Sequence, residues 1–138
     1  MLGAVVDAGV SLEYLNKTLS GLGVNGLSLE SRIEQRAGVR GTLVFGDLDR
    51  RDEHIGGLDG FIRVVEESTL PRKVVQQACA VFRRLNDAET AVHGVSKNEI
   101  QLHELGDLDT LVDVVGTVVG LEKLGIENLY CSPLPAGS

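Results

Sequence analysis

Apolar residues recur along this chain at two spacings, and the change from one spacing to the other marks out its elements. Met1 to Val10 is apolar and helical in character. Ser11 is placed to cap a second helix, Leu12 to about Leu22, in which Leu15, Leu19 and Leu22 keep a 3.6-residue repeat before Gly23. From Leu27 the period falls to two, through Leu29 and Ile33. After the turn signal Arg36-Ala37-Gly38 comes Thr42-Leu43-Val44-Phe45, so an antiparallel pair of strands is expected. Residues 46–60 are charged and glycine-rich without periodicity and read as a mobile surface loop. Phe61 to Glu67 suggests a short helix, and Pro71 opens a long one. There Val74, Val75, Ala78, Phe82, Leu85, Ala88 and Val92 follow the helical repeat to a stop near Gly94.

The last third of the chain carries the strongest signal. Ser96-Lys97-Asn98-Glu99 has capping-box form, Ile100 to Glu104 alternates, and Asp107 starts a helix running to Leu124. Leu108, Leu111, Val112, Val115, Val118 and Val119 leave that helix apolar nearly all round, as expected of one buried on more than one side. Glu127 to Cys131 then reads as a strand. The pattern as a whole predicts an α/β fold: three main helices on a small mixed sheet built from the Leu27, Thr42, Ile100 and Leu129 regions, in one domain covering residues 1–138. The chain looks cut off within that domain.

Two acids interrupt the apolar helix. Asp109 and Asp113 stand four apart, on one stripe with Gly116 and Gly120, so a single face carries two carboxylates and then two positions without side chains. Like charges at that spacing cost about 0.2–0.5 kcal/mol, and burial would add more unless a cation compensated. His103 and Glu104 arrive just before this helix and Cys131 just after it. A metal ion or another cationic ligand is therefore expected against that face; as a metal site, His103, Glu104, Asp109 and Asp113 are the candidates to hold a divalent cation, with Cys131 and His54 as weaker ones. A plainer reading stands beside it: Asp107 caps the helix, Asp109 meets its dipole, and the glycines admit a neighbouring helix. His93 equally suits the negative end of the long helix, and Cys79 suits packing.

Charge and composition narrow the partners. A net charge of -7 and only five Phe and Tyr residues with no Trp argue against nucleic acid, which needs a basic face or stacking platforms. No apolar run of about 20 residues and no signal peptide occur, so no membrane partner and a cytoplasmic location are expected. Two cysteines make no disulfide framework. No Gly-x-Ser-x-Gly elbow, HExxH pair, phosphate loop or paired zinc cysteines are present.

The string His103-Glu104-Leu105-Gly106-Asp107-Leu108-Asp109-Thr110-Leu111-Val112-Asp113-Val114-Val115-Gly116 closely resembles the H-E-V-G-A-x-D-S-I-x-D-I-x-G pattern of the LarC nickel insertion proteins. Tyr130-Cys131-Ser132-Pro133-Leu134-Pro135-Ala136-Gly137-Ser138 resembles their Y-C-S-P-L-P-x-G-S-G. Leu2 to Val10, Gly38 to Thr42, Glu66 to Pro71 and Val81 to Gly94 match the family's N-terminal half in the same order. The resemblance implies insertion of nickel into pyridinium-3,5-bisthiocarboxylic acid mononucleotide, a CTP-consuming step towards the nickel-pincer nucleotide of lactate racemase. It implies that nucleotide as substrate and nickel as the metal. CTP with magnesium or manganese is expected only with a C-terminal half that is absent here. The sequence also departs from the pattern. An Asp-Cys-x-x-Gly-x-x-Gly-Asp segment expected ahead of Met1 is missing, a histidine-rich tract is reduced to His54, Gly57 replaces a histidine, and Gln101 replaces the first His of H-x-H-E. A fragment, a decayed copy, or a split subunit working with a separate C-terminal partner or as a homo-oligomer is expected, and an assembly role without catalysis is the alternative to an enzyme.

Overall fold

A computed structural model describes residues 1–47, 55–93 and 108–133. Its elements follow in the order α1 (Leu2–Asp7), α2 (Leu12–Leu19) with a 3-10 turn at Ser20–Leu22, β1 (Ser28–Arg36), β2 (Val39–Asp47), α3 (Gly57–Glu66), α4 (Arg72–His93) and α5 (Leu108–Lys123). The mixed α/β character expected from the periodicities is present: five α-helices and a two-stranded antiparallel sheet among the described residues.

Each helix forms where an apolar stripe has something to cover. Ser11 caps α2 by accepting a hydrogen bond from the Tyr14 amide at 3.2 Å, and Leu15 and Leu19 turn inward. In α3 and α4, Phe61, Val65, Val74, Ala78 and Phe82 are buried, with the two phenyl rings 5.5 Å apart and tilted by 54°. That geometry is the favoured tilted contact of aromatic pairs. The Pro71 carbonyl accepts the first helical bond of α4, from Val75 at 3.1 Å, as its place in the sequence suggests. The thiol of Cys79 is buried, and desolvation, with Glu66 nearby, pushes its pKa up against the pull of Arg83. It is a packing residue.

The strands pair from Ser28↔Asp47 to Arg36↔Val39. Ala37 (φ 48°) and Gly38 (φ 83°) make the connection, both with the positive φ that a tight two-residue hairpin turn demands. A lone hairpin is marginal in water, and here two side chains clamp it to the helices. Asn16 of α2 behaves as an extra strand residue: its amide nitrogen donates to the Leu29 carbonyl at 3.0 Å and its oxygen accepts from the Leu29 amide at 2.7 Å. Asp7, at the end of α1, accepts from the Thr42 amide at 3.2 Å and the Thr42 hydroxyl at 2.6 Å. Those hydrogen bonds, with Arg40 adding attraction, hold its carboxyl below the ordinary value of 3.8.

α5 is the element on which the rest converges. Leu111, Val112, Val115, Val118 and Val119 are buried, and α1, α2 and α4 all pack against it. Lys73 of α4 pairs with Glu122 at 2.6 Å, and the Lys123 ammonium lies 4.7 Å from the centre of the Tyr14 ring. No helix among the described residues is long and apolar enough to cross a membrane.

Two expectations change, and others lie outside the described residues. Of the expected 46–60 loop, Gly46 and Asp47 belong to β2 and Gly57 to Gly60 to α3, and residues 48–54 lie outside the described residues. The segment Glu127–Cys131 is not a strand: it forms no ladder with any described residue. The Ile100 strand, the Ser96 capping box and the Asp107 cap fall outside the described residues.

Candidate functional site

The four-residue stripe on α5 has two halves. At its C-terminal end α1 lies so close that a Cβ on Gly116 would stand 2.6 Å from Leu2 Cδ2, and one on Gly120 would overlap Val5 Cγ1. Both glycines are buried, and their lack of side chains is what admits α1. This is the plainer of the two readings of the glycines. At the N-terminal end Asp109 and Asp113 are exposed. The supposed conflict between charge and burial therefore does not arise: α5 is apolar on its other sides, and its acids face solvent one turn apart. Among the described residues neither carboxylate has an ion-pair partner or a hydrogen bond from a side chain.

A quarter-turn around α5 from this stripe lies an open groove of about 590 Å3. Val114, Thr117, Val118 and Leu121 form its floor on α5. Gln77 and Val81 of α4, Met1, and the stretch Ile126–Leu129 form its walls, with Asp113, Glu122 and Glu127 as its acids. The floor residues recur at helical spacing, so the groove is visible in the sequence as a second apolar stripe. It was indistinguishable there from a buried one, because periodicity reports that a face is apolar and not what covers it.

The six candidate ligands separate as follows. Asp109 and Asp113 share one face, and Asp113 also borders the groove. Cys131 is exposed, two residues beyond the groove-lining Leu129, and its thiol donates to the Ser132 carbonyl at 3.1 Å. His54, His103 and Glu104 lie outside the described residues, as does the side chain of His93. Among the described residues no three His, Cys, Asp or Glu side chains come together closely enough to hold a metal ion. What remains is a two-carboxylate face. Hard oxygen donors of this kind attract divalent cations without satisfying a full coordination shell, so further ligands are required for tight binding.

Sequence reasoning missed Glu122 and Glu127 as groove acids, and Asp7 and Asn16 as clamps. For the clamps the only available signal was residue type: Asp and Asn imitate backbone hydrogen bonding well.

Comparison with known proteins gives a consistent answer. A protein of Citrifermentans bemidjiense, named provisionally as a nickel insertion protein, is 42% identical over 136 residues, covering 99% of this chain and 35% of its own length. One from Desulfotalea psychrophila with the same provisional name is 39% identical over 135 residues, or 98% of this chain and 34% of its own. A Desulfitobacterium hafniense protein, 33% identical over 145 residues and 34% of its own length, is named as the pyridinium-3,5-bisthiocarboxylic acid mononucleotide nickel insertion protein. The chain thus spans about a third of the length of these curated relatives. No solved structure matches it. A family model described as "Nickel insertion protein" matches residues 1–138, and the chain belongs to that family.

Proposed function

We propose that this chain supplies part of the site at which nickel is inserted into pyridinium-3,5-bisthiocarboxylic acid mononucleotide, the precursor of the nickel-pincer nucleotide of lactate racemase. The observation that carries this reading is the match to the nickel insertion family from residue 1 to residue 138, together with the substrate printed in the name of the Desulfitobacterium relative. The exposed Asp109 and Asp113 are its collecting face. His103 and Glu104 precede them in sequence and complete the donor set, with Cys131 and His54 as secondary ligands.

The chemistry of those donors fits transfer as well as capture. Carboxylates and imidazole hold a divalent first-row ion through oxygen and nitrogen, while the thiocarboxylate groups of the nucleotide offer softer sulfur. Nickel passes from the harder set to the softer one. CTP consumption, with magnesium or manganese, belongs to the part of the family polypeptide outside these 138 residues.

Isothermal titration of the chain with nickel tests the ligand assignment. Binding is expected, weakened by at least about 10-fold in the Asp109→Asn, Asp113→Asn double variant. No binding, or equal binding by the double variant, rejects it. A second reading, a metal-holding assembly subunit without catalysis, is supported by the two-carboxylate face itself, which attracts a divalent cation without completing its coordination shell. Such a subunit binds nickel but consumes no CTP by itself, and restores metallation of the nucleotide when the remaining portion is added as a separate polypeptide.

A further inference from the structure

The segment that leaves α5 ends its helical hydrogen bonding at Ile126, whose amide donates to the Leu121 carbonyl at 3.0 Å. From Glu127 to Pro133 no backbone group bonds to another backbone group among the described residues, and every residue is exposed. Leu129 is 69% and Tyr130 93% exposed, although Glu127-Asn128-Leu129-Tyr130-Cys131 has the alternation and residue types of a strand. Alongside runs the groove, floored by Val114, Val118 and Leu121. A strand-like sequence without a ladder, beside an apolar trough, is an arrangement that strand addition can fill.

We infer that the groove and the Glu127–Pro133 backbone form a seat for one extended strand, supplied by the part of the nickel insertion polypeptide that lies outside these 138 residues. Three observations select this occupant. A small molecule of the groove's volume would cover Val118 and Leu121 but leave the donors and acceptors of Glu127 to Cys131 unpaired. A second copy of this chain, at a net charge of -7, would bring Asp113 and Glu127 towards their own counterparts, and among the described residues neither acid has a cation to neutralise it. The relatives, in contrast, devote about two-thirds of their length to polypeptide beyond the matched stretch. The docked strand alternates apolar residues facing the trough with a lysine or arginine meeting Asp113 or Glu127. Its seating also walls off one side of Asp113 from solvent. The inference rests on family membership and groove geometry, and holds whether or not the aspartates bind nickel.

The test uses this chain and the whole polypeptide of the Citrifermentans relative. Amide hydrogen exchange over Glu127–Ser132 is expected to be fast in this chain at all concentrations. At the aligned amides of the relative it is expected to be at least about 100-fold slower. A photo-crosslinking amino acid placed in the relative where Leu129 aligns is expected to capture a segment outside the matched 136 residues of the same molecule. Fast exchange in the relative overturns the proposal. So does a crosslink confined to the matched stretch or joining two molecules, and so does protection in this chain that grows with concentration, which identifies a second copy as the occupant.

Discussion

Within 12 residues of α5, one helical face is used in opposite ways. Gly116 and Gly120 are shut against Leu2 and Val5, while Asp109 and Asp113, on the same stripe, stand in solvent. Leu2 and Val5 of α1 close the glycine half, and among the described residues nothing closes the acid half. A stripe read from sequence is thus a set of directions, and the neighbouring element decides which of them are interior. Half of the stripe serves the fold, and the other half is left free for charge.

Filling the covered half should have the largest effect. A methyl group at Gly120 meets Val5, a β-branched side chain with one preferred rotamer, and stands 3.1 Å from its Cβ. Gly120→Ala is therefore expected to destabilise the chain by about 1–3 kcal/mol, the usual cost of overpacking. At Gly116 the obstacle is the end of the flexible Leu2 side chain. Rotation of Leu2, together with the gain of about 0.8–1 kcal/mol in helix propensity on replacing glycine by alanine, should leave Gly116→Ala near neutral. Urea denaturation of both variants checks the ordering; equal losses would mean that α1 does not pack as described.

Next comes the tie that keeps α1 in place. The Thr42 hydroxyl and amide lower the pKa of Asp7 below its ordinary value, with Arg40 assisting. Because the folded value lies below the unfolded one, the contribution is present above about pH 4 and is lost as pH falls through the folded value. Asp7→Asn should lower the melting temperature near neutrality, and the gap from the unsubstituted chain should narrow steadily below about pH 4. A gap that stays constant with pH would show that the carboxylate charge is irrelevant to the clamp.

The sequence spelled out what depends on local rules. The Ser11 cap, the Ala37-Gly38 turn, the α4 repeat opened by Pro71 and the apolar run of α5 are each decided by residues within a turn or two of one another. The clamp of Asn16 on Leu29 and that of Asp7 on Thr42 join positions 13 and 35 apart, and nothing in either neighbourhood announces them. The same distinction governs the site. That Asp109 and Asp113 share a face follows from 3.6 residues per turn. That Val114 and Leu121 line a trough while Val118 between them reaches the core depends on α4 and on the course of the chain after Gly125. The strand expected at Glu127–Cys131 has the right residues and no partner among those described, since a strand is a property of two segments.

The smallest effect on stability is expected in the open half, and it separates fold from function most sharply. Asp113 lies beyond the first turn of α5, so Asp113→Asn removes only like-charge repulsion and should raise stability by about 0.2–0.5 kcal/mol at low salt. Asp109 sits in the first turn, where the helix dipole favours an acid by about 0.3–1 kcal/mol. Asp109→Asn gains the same relief, loses that favour, and should end level or slightly lower. Both differences should fade as salt screens them. If the pair gathers nickel, the metal adds stability to the unsubstituted chain, about 2.7 kcal/mol at 100 times its dissociation constant. That gain should vanish in the double variant while surviving in Gly116→Ala, whose change lies on the covered half. A nickel-dependent shift that persists without both carboxylates would move the metal away from this face, and leave Asp109 and Asp113 as ordinary surface charges on a helix whose other half is fully occupied.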